Sequence, residues 1–112
     1  MALALTDMLE ALFGVRSYPR ENPVTATVGA AAERILSLNP QRVSFQVINL
    51  SANSLYIGLS NAVAATEGIY IAPNGGSVSL IWDRDFELVS HDWWAIAGGA
   101  GSAVYVLENI IQ

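Results

Sequence analysis

From Val24 onward the apolar residues recur at every second position, in runs cut short by Gly, Pro, Asn and Ser. A period of two belongs to strands with one buried face, and runs this short leave no room for long helices. The pattern predicts strands at 24–28, 33–37, 42–50, 55–59, 68–72, 77–82, 86–89, 93–97 and 103–109. Short strands separated by turn residues point to an all-β fold, an antiparallel sandwich or barrel, with a jelly-roll-like β-sandwich as the expectation. The turns are "NP" at 39–40, "SANS" at 51–54, "PNGG" at 73–76 and "GGAGS" at 98–102. Of these, "PNGG" between two alternating runs is the strongest hairpin signal.

The alternation also assigns faces. Val43, Phe45 and Val47 share one face, as do Leu55, Ile57 and Leu59, then Ile69 and Ile71, then Val78, Leu80 and Trp82. Trp94 with Ile96, and Val104 with Val106, complete the expected core. The opposite face carries Ser44, Gln46, Ser77 and Ser79, but also Tyr56, Tyr70, Ile81, Trp93, Tyr105 and Leu107. So many large apolar groups facing outward suggest an interface between subunits, with Tyr56, Tyr70, Ile81, Trp93 and Tyr105 as its anchors.

Ahead of the strands lies one helical signal. In "LTDMLEALFG", Leu5, Met8, Leu9, Leu12 and Phe13 form an i, i+3, i+4, i+7, i+8 stripe, and Gly14 suits the C-terminal turn. A helix of about ten residues is marginal alone in water, so its stripe needs a partner: its own sheet or a neighbouring protein. "VRSYPRENPV" follows as an extended linker with two prolines. The expected organisation is a helix and linker arm at 1–23 and a β-sandwich at 24–112.

Composition narrows the function. Charged residues make up 13% of the chain and hydrophobic ones 53%, with a net charge of −5. The basic residues are Arg16, Arg20, Arg34, Arg42 and Arg84, and lysine is absent. Such scattered arginines give no stripe for phosphates, so neither nucleic acid nor an anionic membrane surface is an expected partner. No apolar run approaches the roughly 20 residues of a membrane span. The acids of "MALALTDMLEALF" argue against a signal peptide. Sheet edges without lysine lack a common guard against strand pairing, which again suggests edges covered in an oligomer.

No catalytic set emerges. With no cysteine and the single histidine His91, a metal site would need acids at ligand spacing. Ser90, His91 and Asp92 are adjacent and cannot converge on one atom as a triad must. Asp83, Asp85 and Glu87 in "DRDFE" would share a strand face but lack the glycine and further oxygens of a calcium loop. "GGAGS" has no following Lys-Ser/Thr and no helix after it, so a phosphate cradle is excluded. Neither an enzyme nor a cofactor is expected.

The stretches "LNPQRVSFQVINLSANSLYIGLS", "GIYIAPNGGSVSL" and "WAIAGGAGSAVYVLE" occur in that order over residues 38–108. Together they resemble a family of small tailed-bacteriophage virion structural proteins. There an Asn-Pro-x-Arg turn opens a strand that ends in an Asn-rich turn, followed by a "YIG" strand, an apolar hairpin, "AIA" and a closing "V-V-LE" strand. The residues fit structural duties. Pro40 fixes the turn, Arg42 can tie the turn's carbonyls or a carboxylate, Asn49 and Ser51 can satisfy backbone at the far turn, and Gly58 permits close approach. The resemblance implies a protein of the virion, assembled in the host cytoplasm: a capsid-decoration or head-associated protein, or a tail, fibre or host-recognition module that binds a cell-surface glycan or receptor. It implies a homo-oligomer, with a trimer as the specific expectation, and contacts to a major capsid or tail protein. A cellular sandwich domain binding sugar or peptide is the third possibility, and would be a monomer.

Overall fold

The computed structural model describes residues 4–24 and 27–111. It opens with α1 (Leu5–Phe13), followed by β1 (Ser17–Glu21), β2 (Thr27–Val28), β3 (Glu33–Leu36), β4 (Arg42–Asn49) and β5 (Leu55–Gly58). Next come β6 (Ile69–Ile71), β7 (Ser77–Ile81), the single-turn helix α2 (Trp82–Asp85), a 3₁₀ turn (Phe86–Val89), β8 (Trp93–Ala97) and β9 (Ser102–Ile111). All strand pairing is antiparallel. One sheet runs β1-β9-β4-β7, with β2 also on β9, and the other runs β3-β8-β5-β6. Among the described strands only β5 and β6 are sequence neighbours that pair; β1 and β2 both lie along β9, and the remaining connections pass between sheets. This interleaving is the strand order of a jelly roll.

The all-β sandwich expected from the alternation is therefore present, and α1 and β8 coincide with the predicted segments. The linker differs. Ser17–Glu21 is hydrogen-bonded along β9 from Ser17↔Ile111 to Glu21↔Leu107. Asn22 extends the ladder: its N–H donates to Val106 O at 2.6 Å and its Oδ1 accepts from Val106 N at 2.9 Å. β2 then pairs with the start of β9. The linker and the predicted strand at 24–28, whose Thr25 and Ala26 lie outside the described residues, thus flank one long partner. The boundary drawn at residue 23 falls inside this interrupted strand.

"PNGG" makes a tight turn, but not a hairpin. Asn74 and Gly75 both have positive φ (60° and 105°), and a Cβ on Gly76 would lie 2.3 Å from the Ala72 carbonyl oxygen. The turn delivers the chain from β6 in one sheet to β7 in the other. Residues 86–89, read as a strand, form the 3₁₀ turn instead, because α2 reverses the chain immediately after β7.

Fifteen buried residues fill the space between the sheets, Phe45, Val47, Leu80, Val104 and Val106 from one, and Ile35, Leu36, Leu55, Ile57, Ile71, Trp93, Ala95 and Ala97 from the other among them. Here the reading of β8 is reversed. Trp93, Ala95 and Ala97 face inward, while Trp94 and Ile96 face outward. Trp93 packs at a tilt against Phe45, ring centroids 5.5 Å apart, and donates its indole N–H to Leu88 O at 2.8 Å. Trp93 is thus accommodated inside with its N–H satisfied and its ring against Phe45. Val43 leaves the Phe45 face because a bulge falls between Arg42 and Ser44, and Leu59, Ile69 and Trp82 are exposed.

Polar clamps fasten β4 at both ends. The fully buried Arg42 donates to Glu108 Oε2 at 2.6 Å, to Val89 O at 3.1 Å, to His91 O at 3.3 Å and to Ser37 O at 2.7 Å. It thereby joins its own sheet to the segments entering and leaving the other. Arg20 holds the second oxygen of Glu108 at 2.7 Å. At the far end Asn49 donates to Asn53 O at 2.7 Å and Ile71 O at 3.3 Å, and accepts from the N–H and hydroxyl of Ser51. Both residues do what their positions beside turns suggested.

Candidate interaction surfaces

The chemistry-bearing side chains do not converge. Among the described residues no group of three or more His, Asp or Glu is placed to hold a metal ion. Ser90 donates to Glu87 O at 3.1 Å, and His91 Nδ1 lies 2.9 Å from Asp92 O, so neither faces the other. Asp85 is committed to Ile81 N–H at 2.9 Å and to Arg84 Nε at 3.0 Å. Those two bonds, the arginine first, hold its carboxyl below the ordinary carboxylate range. Tyr105 donates to Glu21, and that bond pushes its phenol above its usual range.

What remains are surfaces, beginning with α1. Ala4 sits at its N-cap, and Gly14, at φ 71°, closes it with an N–H bond to Glu10 O at 2.8 Å. An exposed Arg16–Glu10 pair at 2.6 Å ties the following turn back to the helix. The predicted stripe is mostly bare: Leu5 is 64%, Leu12 68% and Phe13 60% exposed, and Met8 is exposed too. Leu9 is half-buried. Leu9 and Phe13, with Val15, Ser17, Val43, Trp82 and Ile111, line a pocket of about 210 Å³. The helix thus meets its own sandwich at one margin, and among the described residues most of its apolar side is left uncovered.

The five anchors predicted for a subunit interface do not share a surface. Tyr56 and Tyr70 are brought together on the outer face of the β3-β8-β5-β6 sheet, with ring centroids 5.5 Å apart. Ile96 lies opposite Tyr56 and Trp94 opposite Gly58 on the same face. Val63 folds over this face; a Cβ on Gly58 would lie 3.0 Å from its side chain. Ile81 and Tyr105 belong to the outer face of the other sheet, aligned with Ser44 and Ile48 of β4 respectively. Trp93 is core and cannot serve as an interface anchor. Sequence reasoning missed Trp82 and Phe86, both exposed. In sequence Trp82 falls in phase with Leu80 and Phe86 opens an apolar strand-like run, so neither stands out as exposed until α2 and the 3₁₀ turn reverse the chain.

No family model and no curated protein matches this chain. Among solved structures, a chain from Bacillus endospore appendages, described as a novel family of disulfide-linked pili, is similar at 13% identity and a TM-score of 0.48. The similarity covers 99% of this chain and 95% of that one.

Proposed function

We propose that this chain is a non-enzymatic structural protein of a tailed-phage virion, attached to the head through α1 and self-associating through its sandwich, with a trimer as the expected state. The observation that carries the reading is the bare stripe of α1. Leu5, Met8, Leu12 and Phe13 lie outside a sandwich whose core is already filled. An amphipathic helix that leaves its apolar face uncovered fits a groove on another protein, read through i, i+3, i+4 and i+7 anchors. The jelly-roll strand order supports the reading, since viral capsid domains use it, although lectins do too.

The arm must be cut before β1. Removing residues 1–20 would delete most of β1 and the Arg20–Glu108 pair. Removing residues 1–14 spares both. The truncated protein is expected to fold, by far-UV circular dichroism, and to be absent from purified particles. Normal occupancy of particles by the truncated protein would refute the docking role.

A second reading has its own support. The outer face bearing Tyr56, Tyr70, Trp94 and Ile96 gathers aromatic side chains, which suits a tail module that binds glycan. Retention of truncated protein on cells or a glycan array, lost on Tyr70→Ala, would favour it.

A further inference from the structure

We propose that the Arg84–Asp85 pair is an edge lock, which occupies the free edge of β7 and prevents that edge from pairing antiparallel with β7 of a second copy.

Among the described residues the sandwich has five edge strands, and four are blunted by ordinary means, β2 by being only two residues long. β1 contains Pro19, which has no N–H to offer, and two charged residues. β3 is broken by an irregularity between Arg34 and Leu36. β6 has three residues. β7 is different: five residues, "SVSLI", with no charge, proline or bulge. Such an edge is a template for another strand.

Its backbone groups alternate in direction. Ile81 N–H bonds Asp85, so it points away from β4, and by the antiparallel pattern Ser77 and Ser79 point the same way. The next residues of the chain return to cover these groups. Asp85 Oδ2 accepts from Ile81 N–H at 2.9 Å. Arg84 Nη2 donates to Ser79 O at 2.6 Å. The two side chains are themselves paired at 2.9 Å, so they form one unit across the edge. The single turn of α2 makes this return possible, placing positions 84 and 85 back over 79 and 81.

The occupant excluded is specific because the edge is self-complementary. Two β7 strands related by a two-fold axis at Ser79 would exchange both Ser79 hydrogen bonds, and each Ser77 would pair with the other copy's Ile81. The two β1-β9-β4-β7 sheets would become continuous. Arg84 and Asp85 occupy the same carbonyl and N–H that this pairing needs.

A cysteine-free chain gives a direct test. Directly opposite residues of a hydrogen-bonded antiparallel pair have Cα atoms about 5.5 Å apart, within disulfide range. Full-length Ser79→Cys should stay un-cross-linked under mild oxidation. In the Ser79→Cys, Arg84→Ser, Asp85→Ser variant the main band should shift from monomer to covalent dimer. Ala65→Cys, at an exposed loop position, should not shift in either background. Ser79→Cys, Arg84→Ala, which frees only the Ser79 carbonyl, should give an intermediate shift, and it decides the matter if circular dichroism shows the triple variant unfolded. The proposal is overturned if freeing the edge leaves Ser79→Cys un-cross-linked, or if Ala65→Cys cross-links to the same extent. The assay reads one contact, so its result is independent of whether the protein joins particles or self-associates elsewhere.

Discussion

Glu108 is held by two arginines in unlike surroundings, and the contrast predicts unlike stabilities. The Arg42 side chain is fully buried, as is that of Glu108, whereas Arg20 is 47% exposed. Arg42→Met leaves the carbonyls of Ser37, Val89 and His91 without that donor and Glu108 with only its outer partner. Removing one member of a buried pair costs about 3–5 kcal/mol. A chain of 112 residues has a total stability of about 6–17 kcal/mol at ~0.05–0.15 kcal/mol per residue. The loss is thus a large fraction of the whole. With a urea slope of roughly 1.5 kcal/mol per M, the midpoint should fall by about 2–3 M. Arg20→Met removes a half-exposed partner and should cost about 1 kcal/mol or less, a midpoint shift below roughly 0.7 M. Equilibrium unfolding in urea, followed by tryptophan fluorescence, to which buried Trp93 contributes, measures both. Equal shifts for the two variants would refute the claim that Arg42 clamps the sheets and Arg20 only trims the charge.

Trp93→Ala should destabilise by about 3–5 kcal/mol because it empties a core position, while Trp94→Ala, on the outward face, should cost clearly less; thermal melts of the two test the reversed reading of β8. Phe86 has φ 54° and ψ −130°, a conformation that strains a bulky residue by about 1–3 kcal/mol, and its side chain is 75% exposed. Phe86→Gly should therefore raise stability by about 1 kcal/mol, since glycine's own entropic cost is only ~0.5–1 kcal/mol; a lowered melting temperature would show that the exposed ring contributes more than its backbone costs.

The sequence announced strands where alternation was backed by a local stop, as at 93–97, and it announced α1 through its stripe and Gly14. It could not announce which strands pair. Turn chemistry at 73–76 specifies a tight reversal, and the same reversal serves a hairpin or a crossing between sheets. β8 shows another limit: "WWAIA" alternates equally well in either phase, and only the facing Phe45 and the Leu88 carbonyl select Trp93 for the interior. β1 was hidden because "SYPRE" has no apolar alternation; it is an edge strand held by β9, and Pro19 made it look like linker. The helix stripe was legible residue by residue, but its exposure was not, since a periodic stripe looks the same whether covered or bare.

The pairing of β1 with β9 sets a timetable for biosynthesis. Ser17 waits for Ile111, and at ~5–20 residues per second that interval is on the order of 5–20 s. Until then β4 also lacks its central neighbour, and α1 leaves the ribosome with its leucines uncovered. A growing chain therefore offers its sticky segment to other molecules well before the sandwich behind it can close.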